Sequence, residues 1–102
     1  MSVQTVLQNA RALIADGWVQ GISAKVTPTG KCYCTLGALS QAAFDVTNCR
    51  MVEADYTGTK AMLKAVIAPG REVSLPLWND HRFRTQEQVL ATFDQAIACV
   101  PA

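Results

Sequence analysis

The residues best equipped for chemistry in this chain are a thiol and an imidazole with polar neighbours. Cys34 stands where a strand reading runs into a helix reading. Amides and dipole at a helix N-terminus lower a thiol pKa and can make a nucleophile. His81 is the single histidine and follows Asn79-Asp80. It could serve Cys34 as a base, oriented by Asn79 or Asp80, in the manner of a thiol hydrolase. The plainer reading is a core thiol and a solvated loop imidazole. Metal chemistry is disfavoured by spacing. Cys32 and Cys34 are separated by one residue, where a zinc knuckle uses roughly two to four, and along a strand their Cα atoms lie about 6.6 Å apart. No metal and no cofactor are expected.

The same histidine belongs to a denser stretch, LPLWNDHRFRT, from Leu75 to Thr85. Arg82 and Arg84 flank Phe83, a pattern that can stack on nucleic-acid bases. Two arginines make a poor phosphate footprint, however, and the other cations are scattered, so nucleic acid is not the expected partner. Arg and Trp are also enriched at protein interfaces. From Pro69 to Thr85 no regular element is expected, and loops this long in compact domains tend to be functional or disordered. Pro76, Trp78 and Phe83 argue for order. The expectation is a loop braced by a mostly buried Trp78, its indole against the last helix and its N–H on a backbone carbonyl. Asp80 would accept from the backbone or from Arg84 and fix the turn. Asn79 completes the turn, and His81, Arg82 and Phe83 project outward. The binding surface expected is therefore Trp78–Arg84.

Four helices must position these groups. Val3, Val6, Leu7, Ala10, Leu13 and Ile14 form a helical stripe capped by Ser2 and ended at Asp16-Gly17. Ile22, Ala24 and Val26 alternate with polar residues as a strand does. TPTG is a turn, and Lys31–Cys34 folds back as a hairpin strand, with Cys32 and Cys34 on one face and Tyr33 on the other. A lone hairpin is marginal in water, so it must lie against helices or join another strand. A second helix starts at Thr35 and places Leu36, Leu39, Ala42, Ala43 and Val46 on one side. A third runs over about 56–68 and stops at Pro69-Gly70. The fourth starts at Thr85, with Gln88 as capping-box partner, buries Val89, Leu90, Phe93, Ala96, Ile97 and Val100, and ends at Pro101. The fold class is α+β and helix-rich: about four helices around one core with a small β-hairpin, in a single domain over residues 1–102.

Composition narrows the class of function. Half the residues are apolar and 17% are charged, which excludes a disordered tail. No apolar run approaches the roughly 20 residues that span a bilayer, and the first residues do not read as a signal peptide. A cytoplasmic protein is expected, with its four cysteines reduced. A net charge of +1 gives no long-range pull toward nucleic acid or acidic lipid.

Three stretches have a further implication. GWVQG at Gly17–Gly21, GKCYCTLGAL at Gly30–Leu39, and LWND followed by RTQEQVLATFDQAI between Leu77 and Ile97 resemble a family of short, uncharacterised bacterial and phage proteins, known only as a domain of unknown function. The resemblance covers residues 17–98, and its C-terminal block is the more specific part. It implies a Pro-Gly type turn where this chain has His81-Arg82-Phe83, so no role for His81 follows from it. It implies no activity. It does imply a gene that travels on phages, where small proteins often act by binding a host component.

The reading is a small cytoplasmic domain that acts by binding a protein partner through the Trp78–Arg84 loop. An inhibitor of a host or defence protein, carried by a phage, is one version. A cysteine-dependent enzyme using Cys34, His81 and Asp80 is the alternative, and a self-associating, homo-oligomeric structural domain is the third.

Overall fold

The structure is a computed structural model and describes residues 2–100. Helix α1 spans Val3–Asp16. Ser2 accepts from the Thr5 N–H at its start, and the Gly17 N–H closes its end on Leu13 and Ile14. Its stripe, Val6, Leu7, Ala10 and Ile14, is fully buried. Helix α2 is Thr35–Ala42, α3 is Glu53–Ile67, α4 is Leu75–Asn79 and α5 is Gln86–Cys99. The α1 helix sits at the centre and packs against α2, α3 and α5. One core results, with Leu39 from α2, Leu63 from α3, Leu75 from α4, and Val89 and Phe93 from α5. Burying one such side chain stabilises the fold by roughly 1.5–3 kcal/mol. The α+β, helix-rich class expected from sequence holds, and Pro101, expected to end the last helix, lies outside the described residues.

Strands β1 (Ala24–Thr27) and β2 (Gly30–Tyr33) pair antiparallel, with Ala24 opposite Tyr33 and Thr27 opposite Gly30. The hairpin is not alone. Gly17–Val19 lies along β2, with the Val19 N–H on the Tyr33 carbonyl at 3.1 Å and the Tyr33 N–H on the Gly17 carbonyl at 3.0 Å. The alternation of Ile22, Ala24 and Val26 overstated this strand. It begins only at Ala24, and Val26 is 79% exposed because the hairpin tip reaches past the core. Tyr33 and Cys34 are both buried, because the chain bends at Cys34 into α2.

Other elements depart from expectation for local reasons. Helix α2 stops at Ala42, short of Val46. The Asp45 carboxylate takes the backbone N–H groups of Thr47 and Asn48 and the Asn48 side chain, which offers the chain a turn instead of another helical one. A second, minimal hairpin forms, β3 (Phe44–Asp45) with β4 (Arg50–Met51). Helix α3 starts earlier than residue 56, with Glu53 and Asp55 in its first turn, where acidic groups suit the dipole. The stretch between Pro69 and Thr85 is not without regular structure. Ser74 accepts from the Leu77 N–H and starts α4, and Pro76 fits its first turn.

Candidate functional site

Helix α4 ends in a fully buried amide. Asn79 has no solvent exposure, and its side chain ties two distant segments to its own. Its Oδ1 accepts from the Trp18 indole N–H at 2.8 Å, from the Thr35 backbone N–H at 2.9 Å and from the Thr35 hydroxyl at 2.7 Å. Its Nδ2 donates to the Val19 carbonyl at 3.1 Å and to Asp80 Oδ1 at 3.0 Å. The start of α2 is thus held partly from outside the helix: Thr35 is its first residue, and Cys34 Sγ accepts from the Gly37 N–H at 3.3 Å as the cap. Gly37 is required beside it, since a Cβ there would come within 2.1 Å of the Ser23 carbonyl oxygen.

Around Asn79 the partners lock in a second ring. Gln20 Nε2 donates to the carbonyls of Asn79 and His81, both at 2.9 Å. The Gly21 N–H donates to Asp80 Oδ1 at 2.9 Å, and Gly21 turns there at φ +86°, a conformation open to glycine at no steric cost. Arg84 Nε donates to the Trp78 carbonyl at 2.9 Å while its guanidinium lies 4.3 Å over the Trp78 ring. The Arg84 N–H returns to the His81 carbonyl at 2.8 Å, and Thr85 then caps α5 in a reciprocal box with Gln88. The chain from Asp80 to Arg84 is a tight turn with both ends fastened.

This arrangement sorts the sequence-predicted residues. Asp80 accepts from backbone, as expected, but the N–H is that of Gly21 and not of its own loop, and no bond joins it to Arg84. His81, Arg82 and Phe83 are exposed, with Phe83 at 67%. Arg82 lies 4.6 Å over the Phe83 ring, and the His81 and Phe83 rings are 5.9 Å apart. His81 Nδ1 accepts from the Phe83 N–H. Trp78 packs against the core with the smaller part of its surface exposed, as expected, but its indole N–H has no bond among those of the described residues, where a backbone carbonyl was the expected partner. The indole bonded at this site is that of Trp18. The residues that sequence reasoning missed are therefore Trp18, Gln20, Gly21 and Thr35. The signal was present in GWVQG, a Trp, a Gln and two glycines in five residues with no role in the helical pattern.

Cys34 and His81 are not joined by a hydrogen bond. The thiol is buried and engaged as a cap, while the imidazole is exposed and engaged by Phe83. Beside Cys34 is a small cleft of about 130 Å³ whose rim includes Gly21, Ile22, Pro76 and Asp80. Cys32 is half-buried, Cys49 and Cys99 are exposed, and all four thiols are free. Among the described residues no three His, Cys, Asp or Glu side chains gather as a metal site would require, and no helix is long and apolar enough to cross a membrane.

The three stretches that carry the resemblance meet at this one place, 17–21 against 34–35 against 78–85. Residues 1–98 match a family described as "Family of unknown function (DUF6197)". No curated protein and no solved structure matches the chain.

Proposed function

The chain belongs to this family of unknown function, and on its own geometry we propose that it is a small cytoplasmic binding protein that docks a protein partner through the turn from Trp78 to Arg84. The observation that carries the reading is an exposed Arg82–Phe83 edge fastened to a fully buried amide. Phe83 in the turn and Leu77 just before it, 67% and 75% exposed, leave apolar surface in water. Among the described residues Arg82 has no carboxylate partner, since the ion pairs found are Arg11–Asp94 and Lys64–Glu72. An arginine stacked on an aromatic ring is a common anchor at interfaces. A turn already held in its binding shape loses less entropy on docking than a loose loop would. The partner surface that fits is an apolar hollow for Phe83 with a carboxylate at its rim for Arg82. An inhibitor carried by a phage against a host or defence protein is one specific form of this reading, and it rests on analogy.

The test is affinity capture from cells of the organism that encodes the chain, with wild type beside an Arg82→Ala/Phe83→Ala double variant. Wild type should enrich a partner that the double variant loses, while both melt at nearly the same temperature. Equal capture by the two proteins would remove this turn as the interface. Enrichment of further copies of the chain itself would move the reading to self-association.

A further inference from the structure

A second concavity, of about 260 Å³, adjoins the cleft beside Cys34, sharing Ser23 and Leu36 with it, and lies between the β1–β2 hairpin, α2 and the first turn of α3. Lys31 and Tyr33 line it from β2, Ser40 and Gln41 from α2, Tyr56 from α3, and Ser23 from the approach to β1. Among the described residues none of these six side chains takes part in a hydrogen bond or ion pair within the protein; Ser23, Lys31 and Gln41 are exposed and meet water, so the telling ones are Tyr33, Ser40 and Tyr56. That is unusual for Tyr33, which is only 8% exposed, since a buried phenol normally finds a partner. Its hydroxyl keeps solvent contact instead. Convergent polar groups without internal partners in a concave wall are what a ligand site supplies.

The chemistry of the wall is one-sided. Lys31 carries the single positive charge among the lining residues, and its ammonium sits 5.3 Å over the Tyr33 ring. The remaining groups are neutral and each can donate. Burial first, then the charges of Glu53 and Cys34, raise the Tyr56 pKa above its ordinary value, so this phenol stays protonated as a donor. Just outside the wall Lys60 lies 4.2 Å over the Tyr56 ring and Glu53 acts on the same phenol, so these opposite charges offset each other and the net charge offered is that of Lys31, which matches a monoanion better than a dianion. The volume falls below the roughly 300–1,000 Å³ of pockets for drug-sized ligands, which limits the occupant to a small molecule or one terminal residue of a peptide.

We infer that this concavity binds a small carboxylate, held by Lys31 and by the hydroxyl and amide donors of Ser40, Gln41 and Tyr56. The carboxylate belongs either to a free organic acid or to the C-terminus of a peptide. The site is separate from the Trp78–Arg84 turn and stands or falls without it.

The test titrates the isotopically labelled full chain with lactate, with trialanine and with trialanine amide, followed by amide resonances in NMR. Saturable shifts at Lys31, Ser40, Gln41 and Tyr56 are expected with at least one carboxylate and not with the amide. Lactate alone would identify a free-acid site, and trialanine alone a reader of peptide C-termini. Lys31→Met should weaken binding by about tenfold or more, and Tyr56→Phe by about three- to tenfold. The exposed Lys31→Met change should leave the melting temperature in place. No saturable shift with either carboxylate, equal shifts with the amide, or wild-type affinity in Lys31→Met would each overturn the assignment.

Discussion

Replacing Asn79 by alanine should come close to unfolding the protein without removing any sizeable apolar contact. The substitution strands the Thr35 N–H and hydroxyl, which bond Asn79 Oδ1 at 2.9 and 2.7 Å in a residue with no solvent exposure. A buried donor left unpaired costs about 1–3 kcal/mol, so these two groups account for about 2–6 kcal/mol. The Trp18 indole N–H and the Val19 carbonyl also lose their partner, but both residues are partly exposed and recover some of it from water. With that partial loss added, a total of about 3–7 kcal/mol stands against the roughly 5–15 kcal/mol expected for a domain of this length. Urea denaturation followed by circular dichroism is the assay. The midpoint should fall steeply with the slope unchanged, and the melting temperature should drop by more than about 12 °C. Asn79→Asp sharpens the test. It keeps an acceptor for Trp18 and Thr35 but turns the donor side toward Val19 and Asp80 into an anion. Burial and the Asp80 charge would raise the folded pKa of the new carboxyl. Stability is then present below the ordinary carboxylate range and lost as pH rises through the folded value. An Asn79→Ala midpoint within about 0.5 kcal/mol of wild type would refute the clasp outright.

The other expectations are smaller. His81→Ala and Arg82→Ala should each change stability by no more than about 0.5 kcal/mol, whereas Arg84→Ala should cost about 1–2 kcal/mol, because only Arg84 bonds a backbone carbonyl and covers an indole; equal melting curves for the three would contradict the sorting. Alkylation under denaturing, non-reducing conditions should add four adducts by intact mass, and an internal bridge would show as two missing. In the native protein the exposed Cys49 and Cys99 should react well before the buried Cys34; rapid selective modification of Cys34 would instead favour a thiol enzyme. The Asp45 carboxyl is held below its ordinary value, first by the Asn48 side chain and then by backbone N–H groups. Order in the β3–β4 turn is therefore present above the ordinary carboxylate pKa and lost as pH falls through the lowered folded value. Protection factors at Thr47 and Asn48, taken against the intrinsic exchange rate at each pH, should fall on acidification in wild type and stay level in Asp45→Asn.

What could be read from the sequence follows from the range of the interactions involved. Helices α1 and α5 carry their instructions locally: a cap three residues from its donor and a stripe repeating every turn. Both were legible nearly to their boundaries. The end of α2 was not, because Asp45 competes with the helix for the same backbone, and apolar spacing carries no record of that competition. The single turn of α4 is too short for periodicity to register, although Ser74 and Pro76 were both in place to start it. The outward edge His81–Phe83 was legible from turn chemistry and polarity. Its anchor was not: Asn79 meets Thr35 from 44 positions away and Trp18 from 61, and nothing in the spacing of WND names those partners. The spacing favours Trp78, the indole next door, for the same reason.

Helix α1 has a consequence for how the protein is made. Part of its cover comes from α5, through Gln86 on the Ile14 carbonyl and the Arg11–Asp94 pair, which spans 83 positions. A ribosome adding about 5–20 residues per second needs roughly 4–17 s to travel that distance. Throughout that time the Leu7–Ile14 stripe lacks the cover of α5, and a helix of this length without its packing partners is marginal in water. The domain can therefore close only once nearly the whole chain has been made, and a chain cut short before α5 lacks the surface that covers this side of α1.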